Sequence, residues 1–216
     1  RGFDLLAAQA LVRKSYDDPA LTFESNMMGT LNMLEAVRAC PDVGAVVMIT
    51  SDKCYRNDEW VWGYRETDHL GGRDPYSASK SCAEIIAHSY FESFFKDGPA
   101  CATVRAGNVI GGGDWGNDRL VPDCIRALSR NQALDIRSPR AVRPWQHVLE
   151  PLSGYLLLGS ELSKNENLNG ESFNFGPKSE QSRKVIDLLQ DLYSNWKQKQ
   201  EHPPYIVTDN IPFHEA

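Results

Sequence analysis

Hydrophobic positions along the chain follow two spacings, one typical of buried strands and one typical of helices. The segment Ala45–Thr50 is apolar up to its last residue and rich in β-branched side chains, which predicts a strand covered on both faces. Ser25–Ala39 repeats apolar residues every three or four positions, which predicts a helix that ends before Pro41. Further strands are predicted over 3–8 and 102–106. This alternation favours an α/β fold with a parallel sheet.

The second half of the chain keeps the helical spacing but loses the strand pattern. A long helix is predicted over Ser77–Phe95, and another over Leu149–Leu162. After a glycine-rich turn at Gly111–Gly113, apolar residues at helical spacing predict two more helices, around Val121, Ile125 and Leu128 and around Val185, Leu189, Leu192 and Trp196. The change of pattern near residue 110 indicates a division into a sheet-containing part and a smaller, mostly helical part.

Composition and charge exclude several classes of protein. The 216 residues are 41% apolar, enough to bury a core, and intrinsic disorder is excluded. Acidic residues (29) outnumber basic ones (23), which disfavours a nucleic-acid partner. The five cysteines form no C-x-x-C pair, so neither a disulfide framework nor a metal site is predicted. No apolar run is long enough for a membrane span and no signal peptide opens the chain, which predicts a cytoplasmic protein.

Tyr76 and Lys80 form the sharpest candidate for chemistry. They stand four residues apart at the start of a predicted helix, so both side chains can face one cleft. A free tyrosine has a pKa near 10, and a nearby cation lowers it, so the pair can act as a general base for a hydroxyl group. A Y-x-x-x-K spacing alone also occurs by chance on helix surfaces.

Two further polar segments follow predicted strands. Ser51, Asp52 and Lys53 come directly after the buried strand, where ligands bind in open parallel sheets, although a polar turn has the same appearance. Arg105 begins a segment that runs through glycines to Trp115, and an ordinary turn explains it equally well. Four arginines follow this segment, Arg119, Arg137, Arg140 and Arg143. Arginine side chains suit diphosphate groups, so these residues could bind a small anionic ligand.

Taken together and in order, these motifs resemble the extended short-chain dehydrogenases/reductases. The narrower motifs resemble the CDP-glucose 4,6-dehydratases within that superfamily, and they extend over nearly the whole chain. They are Thr-Ser-Asp-Lys-Cys-Tyr (50–55), Trp62–Glu66, Leu70–Tyr76, Asn108–Trp115 and Arg143–His147.

The resemblance implies a Rossmann-like doubly wound sheet and a transient use of NAD. Tyr76 would take the proton of the sugar 4-hydroxyl, and Lys80 would lower the Tyr76 pKa and hold the nicotinamide ribose. Ser51 would bond the 4-oxygen, and Asp52 would protonate the departing 6-hydroxyl. CDP-glucose would become CDP-4-keto-6-deoxyglucose, a deoxysugar precursor, with loss of water.

At the position of Lys53, the resembling motif of the dTDP-glucose dehydratases has a glutamate, which serves as the base that removes the C5 proton. It would serve as that base if its pKa were lowered far enough, and otherwise it would stabilise the enolate as a cation. We favour the base role.

The resemblance also assigns binding residues and domains. Residues 1–110 would be the remaining part of an NAD-binding domain, and 111–216 mainly a sugar-nucleotide-binding region, with 141–162 returning to the first. The cofactor would be held by Leu6, Ala7, Ala8, Gln9, Asn26, Thr50, Tyr76, Lys80 and Arg105. The sugar nucleotide would be held by Asn108, Arg119, Arg143 and His147. The family further implies a homo-oligomer formed through two long helices, one of them Ser77–Phe95.

One expected segment is missing and two alternatives stay open. The glycine-rich βαβ unit that the family places first does not precede Arg1, so we expect a fragment of a longer enzyme that by itself binds NAD weakly or aggregates. The alternatives are another sugar-nucleotide dehydratase, epimerase or reductase of the superfamily, and a catalytically incompetent binding module.

Overall fold

The structure, a computed structural model, describes residues 2–5, 7–197, 203 and 205–208, with the backbone alone over 2–5. The strands, in chain order, are β1 Gly2–Leu5, β2 Ala45–Ile49, β3 Ala100–Ala106, β4 Val109–Ile110, β5 Leu134–Ile136, β6 Val142–Arg143, β7 Gln146–His147, β8 Ser172–Phe175, β9 Arg183–Lys184 and β10 Tyr205–Val207. The helices are α1 Val12–Asp17, α2 Pro19–Phe23, α3 Gly29–Ala39, α4 Pro75–Tyr90, α5 Leu120–Ser129, α6 Leu149–Leu162 and α7 Val185–Asn195. Short 3-10 turns lie at Asp52–Cys54, Glu166–Leu168 and Ser179–Gln181.

The chain forms two compact units, and their boundaries differ from the predicted ones. The first unit draws on residues 1–107 and 149–176, and the second on 108–148 and 177–215. The return to the first unit was predicted over 141–162, but residues 142–147 pair with strands of the second unit. The return therefore begins at Leu149 and extends to β8, which pairs with β3.

A parallel sheet with the strand order β1-β2-β3-β8 organises the first unit. Side chains of β2 alternate between its two faces, as the strand period requires. Val46 and Met48 pack in a cluster with residues of α3 and α4, whereas Ala45 and Val47 pack with residues of α6. Helices therefore cover both faces of the sheet, and the predicted α/β class is confirmed.

Two helices of the first unit contain a π-helical turn, which is rare and often marks a functional site. The segment Glu24–Met28 joins α2 to α3, and Phe91–Phe95 extends α4. The predicted helix over 25–39 is thus part of a longer helical stretch that starts at Pro19. Within the described part of the chain, no helix combines the length and apolar character that a membrane span requires.

The second unit combines α5 and α7 with pairs of short strands. Its core consists of Cys124, Leu128, Ile136, Val185 and Leu189. Strand β5 pairs with β10 and β4 with β7, both in parallel, while β6 pairs with β9 in antiparallel. Strands of two or three residues are too short for a detectable period, so the sequence pattern did not predict them.

We predict opposite effects for two glycine substitutions in α6. A Cβ atom at Gly154 would lie 2.0 Å from Cε1 of Phe175, whose ring makes an edge contact with Tyr155. Gly154→Ala should lower the free energy of unfolding by about 1–3 kcal/mol because the ring must move. Gly159→Ala should raise that free energy by up to about 1 kcal/mol, since alanine favours helices and its Cβ would meet Val47 at 3.6 Å. Denaturant unfolding of both variants tests this, and equal stabilities would contradict it.

Candidate active site

The segments that follow two strands of the parallel sheet carry several of the predicted site residues. Residues 7–9 follow β1, and Thr50–Lys53 follows β2. Because the strands are parallel, their carboxyl ends lie at one edge of the sheet, where open α/β sheets bind ligands.

Ser51, Asp52 and Lys53 form a tight turn at the end of β2. Ser51 caps the 3-10 turn that begins at Asp52, and its Oγ accepts a hydrogen bond from the Lys53 amide at 3.3 Å. The Ser51 hydroxyl donates to Oδ1 of Asp52 at 3.1 Å. Ser51 is buried and the two charged side chains are half-buried, so the turn places an acidic and a basic residue next to a hydroxyl group.

Tyr76 and Lys80 lie in the first two turns of α4. Asp74 caps this helix by accepting from the Ser77 amide at 2.9 Å, and Pro75 occupies the first turn, where proline is favoured. The Tyr76 amide donates to Oγ of Ser15 at 3.1 Å. Both site residues are buried, with 8% of Tyr76 and 7% of Lys80 exposed.

Burial changes the electrostatics of Lys80. Removal from water disfavours the ammonium and lowers the pKa of Lys80, and the Glu84 carboxylate one helical turn further on opposes this shift. The Lys80 ammonium makes no hydrogen bond to any residue that the structure describes. Among the described residues, the side-chain nitrogens that are buried without a partner are those of Trp145 and Trp196, so the Lys80 nitrogen still reaches solvent, where a polar ligand can contact it.

The structure brings the two predicted catalytic segments together. The Ser81 hydroxyl, beside Lys80 on α4, donates to the carbonyl of Cys54, beside Lys53, at 2.7 Å. Sequence reasoning missed Ser81, because a serine in the middle of a helix carries no distinguishing signal. Burial raises the pKa of the Cys54 thiol well above its ordinary range, which disfavours the nucleophilic thiolate as long as the residue stays buried.

Gln9 and Asn26 hold the backbone after β1 against α4. Asn26 accepts from the Gln9 amide at 2.7 Å, and its side-chain nitrogen donates to the Gln9 carbonyl and to Oγ of Ser79. The Gln9 side-chain amide bonds the backbone of Leu11 and the Thr22 hydroxyl. Both side chains thus act within the protein. A direct cofactor contact stays a prediction for Ala7 and Ala8, which are exposed, whereas Leu6 lies outside the described residues.

Arg105 has a different role from the predicted cofactor contact. Its Nε and Nη2 form a two-pronged ion pair with Glu84 at 2.9 and 2.8 Å. Nη1 donates to the Tyr55 hydroxyl and the Glu66 carbonyl, and Nη2 also donates to Oγ of Ser172. All five N–H groups of the guanidinium are used inside the protein, and 3% of the residue is exposed. Arg105 has no donor left for a cofactor.

Thr50, also predicted to contact the cofactor, belongs to the same buried network. Its hydroxyl donates to Oε1 of Glu84 and lies 3.2 Å from the Val104 carbonyl. Glu84 was not predicted, although it stands four residues after Lys80 and hence on the same face of α4.

The predicted sugar-nucleotide residues all lie in the second unit. Asn108 and His147 are close in that unit, because residues 109–110 pair with 146–147 and the Asn108 carbonyl accepts from the Gln146 amide at 3.0 Å. Arg119 forms an ion pair with Asp114 at 2.9 Å. Arg143 is half-buried in β6, and its Nη1 donates to the Val142 carbonyl at 3.1 Å. Their action on a ligand stays a prediction.

The sequence model of the family described as GDP-mannose 4,6 dehydratase matches residues 5–209. The chain belongs to this family. A curated relative, the CDP-glucose 4,6-dehydratase of Salmonella typhimurium, is 50% identical over 197 residues. That match covers 88% of this chain but 55% of the relative, so the chain spans about half of the relative's length. The family resemblance that the motifs indicated is confirmed.

Two solved structures share the fold of this chain. A dTDP-glucose 4,6-dehydratase from Streptomyces venezuelae superposes with a TM-score of 0.76 at 22% identity, covering 89% of this chain and 56% of that one. A UDP-glucuronic acid 4-epimerase from Bacillus cereus superposes with a TM-score of 0.79 at 21% identity, covering 90% and 59%. The predicted Rossmann-like fold is thereby confirmed.

We predict that Gly72 is required for the start of α4. A Cβ atom at this position would lie 2.3 Å from the Ala78 amide nitrogen and 2.4 Å from the Ser77 carbonyl carbon, both of them backbone atoms. Gly72→Ala should therefore displace the first turn of α4 and lower the free energy of unfolding by about 1–3 kcal/mol.

Gly63→Ala is the matched control in the same loop region, because no atom lies within 4 Å of the added Cβ. Thermal unfolding of both variants is the measurement. A Gly72→Ala protein as stable as the control would contradict the prediction.

Proposed function

We propose that this chain is the catalytic part of a nucleotide-sugar 4,6-dehydratase, a lyase that acts on CDP-glucose and uses NAD. One observation carries the proposal. The buried Tyr76 and Lys80 share a helix that the Ser81–Cys54 bond ties to the Ser51–Lys53 turn. The 50% identity to a CDP-glucose 4,6-dehydratase supports the choice of substrate. The same likeness supports a role in deoxysugar biosynthesis.

The residues present fit a dinucleotide beside Tyr76 and Lys80. Lys80 is 7% exposed, its ammonium makes no hydrogen bond to a described residue, and ribose hydroxyl oxygens are suitable acceptors for it. The Streptomyces venezuelae dehydratase was solved with NAD bound. Tyr76, Lys80, Ala7 and Ala8 would hold the cofactor. When bound, NAD supplies a hydride acceptor for C4 of the sugar and a hydride donor for C6.

The side chains of this chain supply the proton transfers. Tyr76 accepts the proton of the sugar 4-hydroxyl, and the charge of Lys80 favours the phenolate. Ser51 donates a hydrogen bond to the 4-oxygen. Asp52 protonates the departing 6-hydroxyl, so that it leaves as water. Lys53 either removes the C5 proton or stabilises the enolate that forms, and we favour the first role.

The second unit is the proposed binding region for the sugar nucleotide. Arg119 and Arg143 suit the diphosphate, because a guanidinium pairs with phosphate oxygens through two N–H groups. Asn108 directly precedes β4 and His147 lies in β7, its partner strand, so the two residues would contact the same ligand. A homo-oligomer through α4 is also proposed, supported by Ile85 and Phe94, which are 58% and 49% exposed.

Product analysis tests the proposed reaction. The protein as encoded by its gene is incubated with NAD and CDP-glucose, and in parallel with dTDP-glucose, UDP-glucose and GDP-mannose. We expect CDP-glucose to give a 4-keto-6-deoxy product that is lighter by one water, detected by mass spectrometry. A 4-epimer of unchanged mass would replace the dehydratase proposal with an epimerase. Faster turnover of another nucleotide sugar would overturn the choice of substrate.

Tyr76→Phe tests the general base. The variant keeps the ring but lacks the hydroxyl, so kcat should fall by at least about 100-fold while KM changes little. Tyr90→Phe is the matched control on the same helix, because its hydroxyl donates to Glu35 instead, and it should retain kcat. Turnover kept by Tyr76→Phe would contradict the assigned role.

A further inference from the structure

The buried pair Glu84–Arg105 joins more of the first unit than an ordinary ion pair does. Glu84 is 3% exposed, lies on α4 and accepts hydrogen bonds from Thr50, Thr103 and Arg105. Thr50 directly follows β2, while Thr103 and Arg105 belong to β3. A single carboxylate therefore connects the helix of Tyr76 and Lys80 with two strands of the sheet.

Arg105 extends these connections to the loop that follows the Ser51–Lys53 turn. Its guanidinium donates to the Tyr55 hydroxyl at 2.8 Å and the Glu66 carbonyl at 2.9 Å, and it lies 4.8 Å from the centre of the Tyr55 ring. Tyr55 directly follows the turn Asp52–Cys54. The residue before the turn, Thr50, thus bonds Glu84, and the residue after it, Tyr55, bonds Arg105. Both ends of the turn are therefore connected to the same ion pair.

Stability alone does not explain a buried ion pair of this kind. Desolvation of two charges offsets much of their attraction, and well-packed apolar residues are often as stable. The pair instead fixes the relative positions of the segments around it, because the carboxylate and the guanidinium each bond several partners in a fixed geometry.

We propose that Glu84 and Arg105 are positioning residues that hold the Ser51–Lys53 turn in register with Tyr76 and Lys80. The proposal rests on the proposed function of those residues. Thr50 is the link through which the pair acts on the turn, since it bonds Glu84 and is adjacent to Ser51. Thr103 bonds the same carboxylate at 2.8 Å from within β3 and has no such link.

Two threonine variants separate positioning from general support. Thr50→Val and Thr103→Val each remove one hydroxyl bond to Glu84 at nearly constant volume. In Thr50→Val we expect kcat to fall about tenfold and KM to change little. A tenfold change corresponds to the loss of one buried hydrogen bond. Thr103→Val should keep kcat. Thr50→Ser restores the hydroxyl and should restore kcat. Glu84→Gln should act like Thr50→Val if it folds.

Alkylation of Cys54 gives a readout that does not depend on turnover. This thiol lies in the turn itself and is 0% exposed, so an alkylating reagent reaches it only when the turn opens. Cys101 on β3, 6% exposed, is the internal reference. With N-ethylmaleimide and peptide mass spectrometry, we expect Thr50→Val to raise the rate at Cys54 about tenfold and leave Cys101 unchanged. Thr103→Val should change neither rate.

The outcomes distinguish this proposal from the proposed function. An unchanged Cys54 rate in Thr50→Val overturns the positioning role, and so does an unchanged kcat in an active enzyme. Equal effects of Thr50→Val and Thr103→Val also overturn the positioning role, because they indicate that the hydrogen bonds to Glu84 only stabilise the sheet. If the native protein turns over no nucleotide sugar, the proposed function fails, and the Cys54 rates still decide whether the pair holds the turn.

Discussion

The need to compensate one buried carboxylate organises the first unit around Glu84. A charged group with 3% exposure is tolerated only where ion pairs and hydrogen bonds replace its water. Glu84 meets this need with Arg105 and the hydroxyls of Thr50 and Thr103. These partners come from the end of β2 and from β3, so satisfying the charge fixes where α4 lies on the sheet. The Arg105 bond to Ser172 extends the same constraint to β8.

Apolar packing and polar contacts have different roles in the first unit. The apolar side chains of β2 and β3 attach helices to both faces through hydrophobic packing, which has no preferred direction. Polar contacts then set the local geometry at the carboxyl edge of the sheet. Asn26 joins the backbone of Gln9 to Ser79, and Ser81 joins α4 to Cys54. Lys80 lies among these contacts, and its ammonium makes no hydrogen bond to a residue that the structure describes.

Local periodicity predicted most of the longer elements, because an element with a buried face has apolar residues at regular spacing along the sequence. Helix α6 was predicted with the observed bounds, and β2 was predicted to within one residue. Helix α4 begins two residues before the predicted Ser77, because Asp74 and Pro75 supply its cap and first turn. Strand β8 was missed, since its four residues lie after a polar connection and are only partly buried. The domain boundary was misplaced because pairing between distant short strands assigns 142–147 to the second unit.

By itself, the sequence determined the fold class and the family, and it singled out the two segments that we predict to be catalytic. Each of these depends on residues close together in the chain, where spacing alone reports the face of a helix or the end of a strand. Only the tertiary structure decided that Arg105 is an internal partner of Glu84 and not a cofactor ligand. The reason is physical: an arginine has the same five donors in either role, and only the acceptors around it, contributed by distant parts of the chain, determine which role it takes.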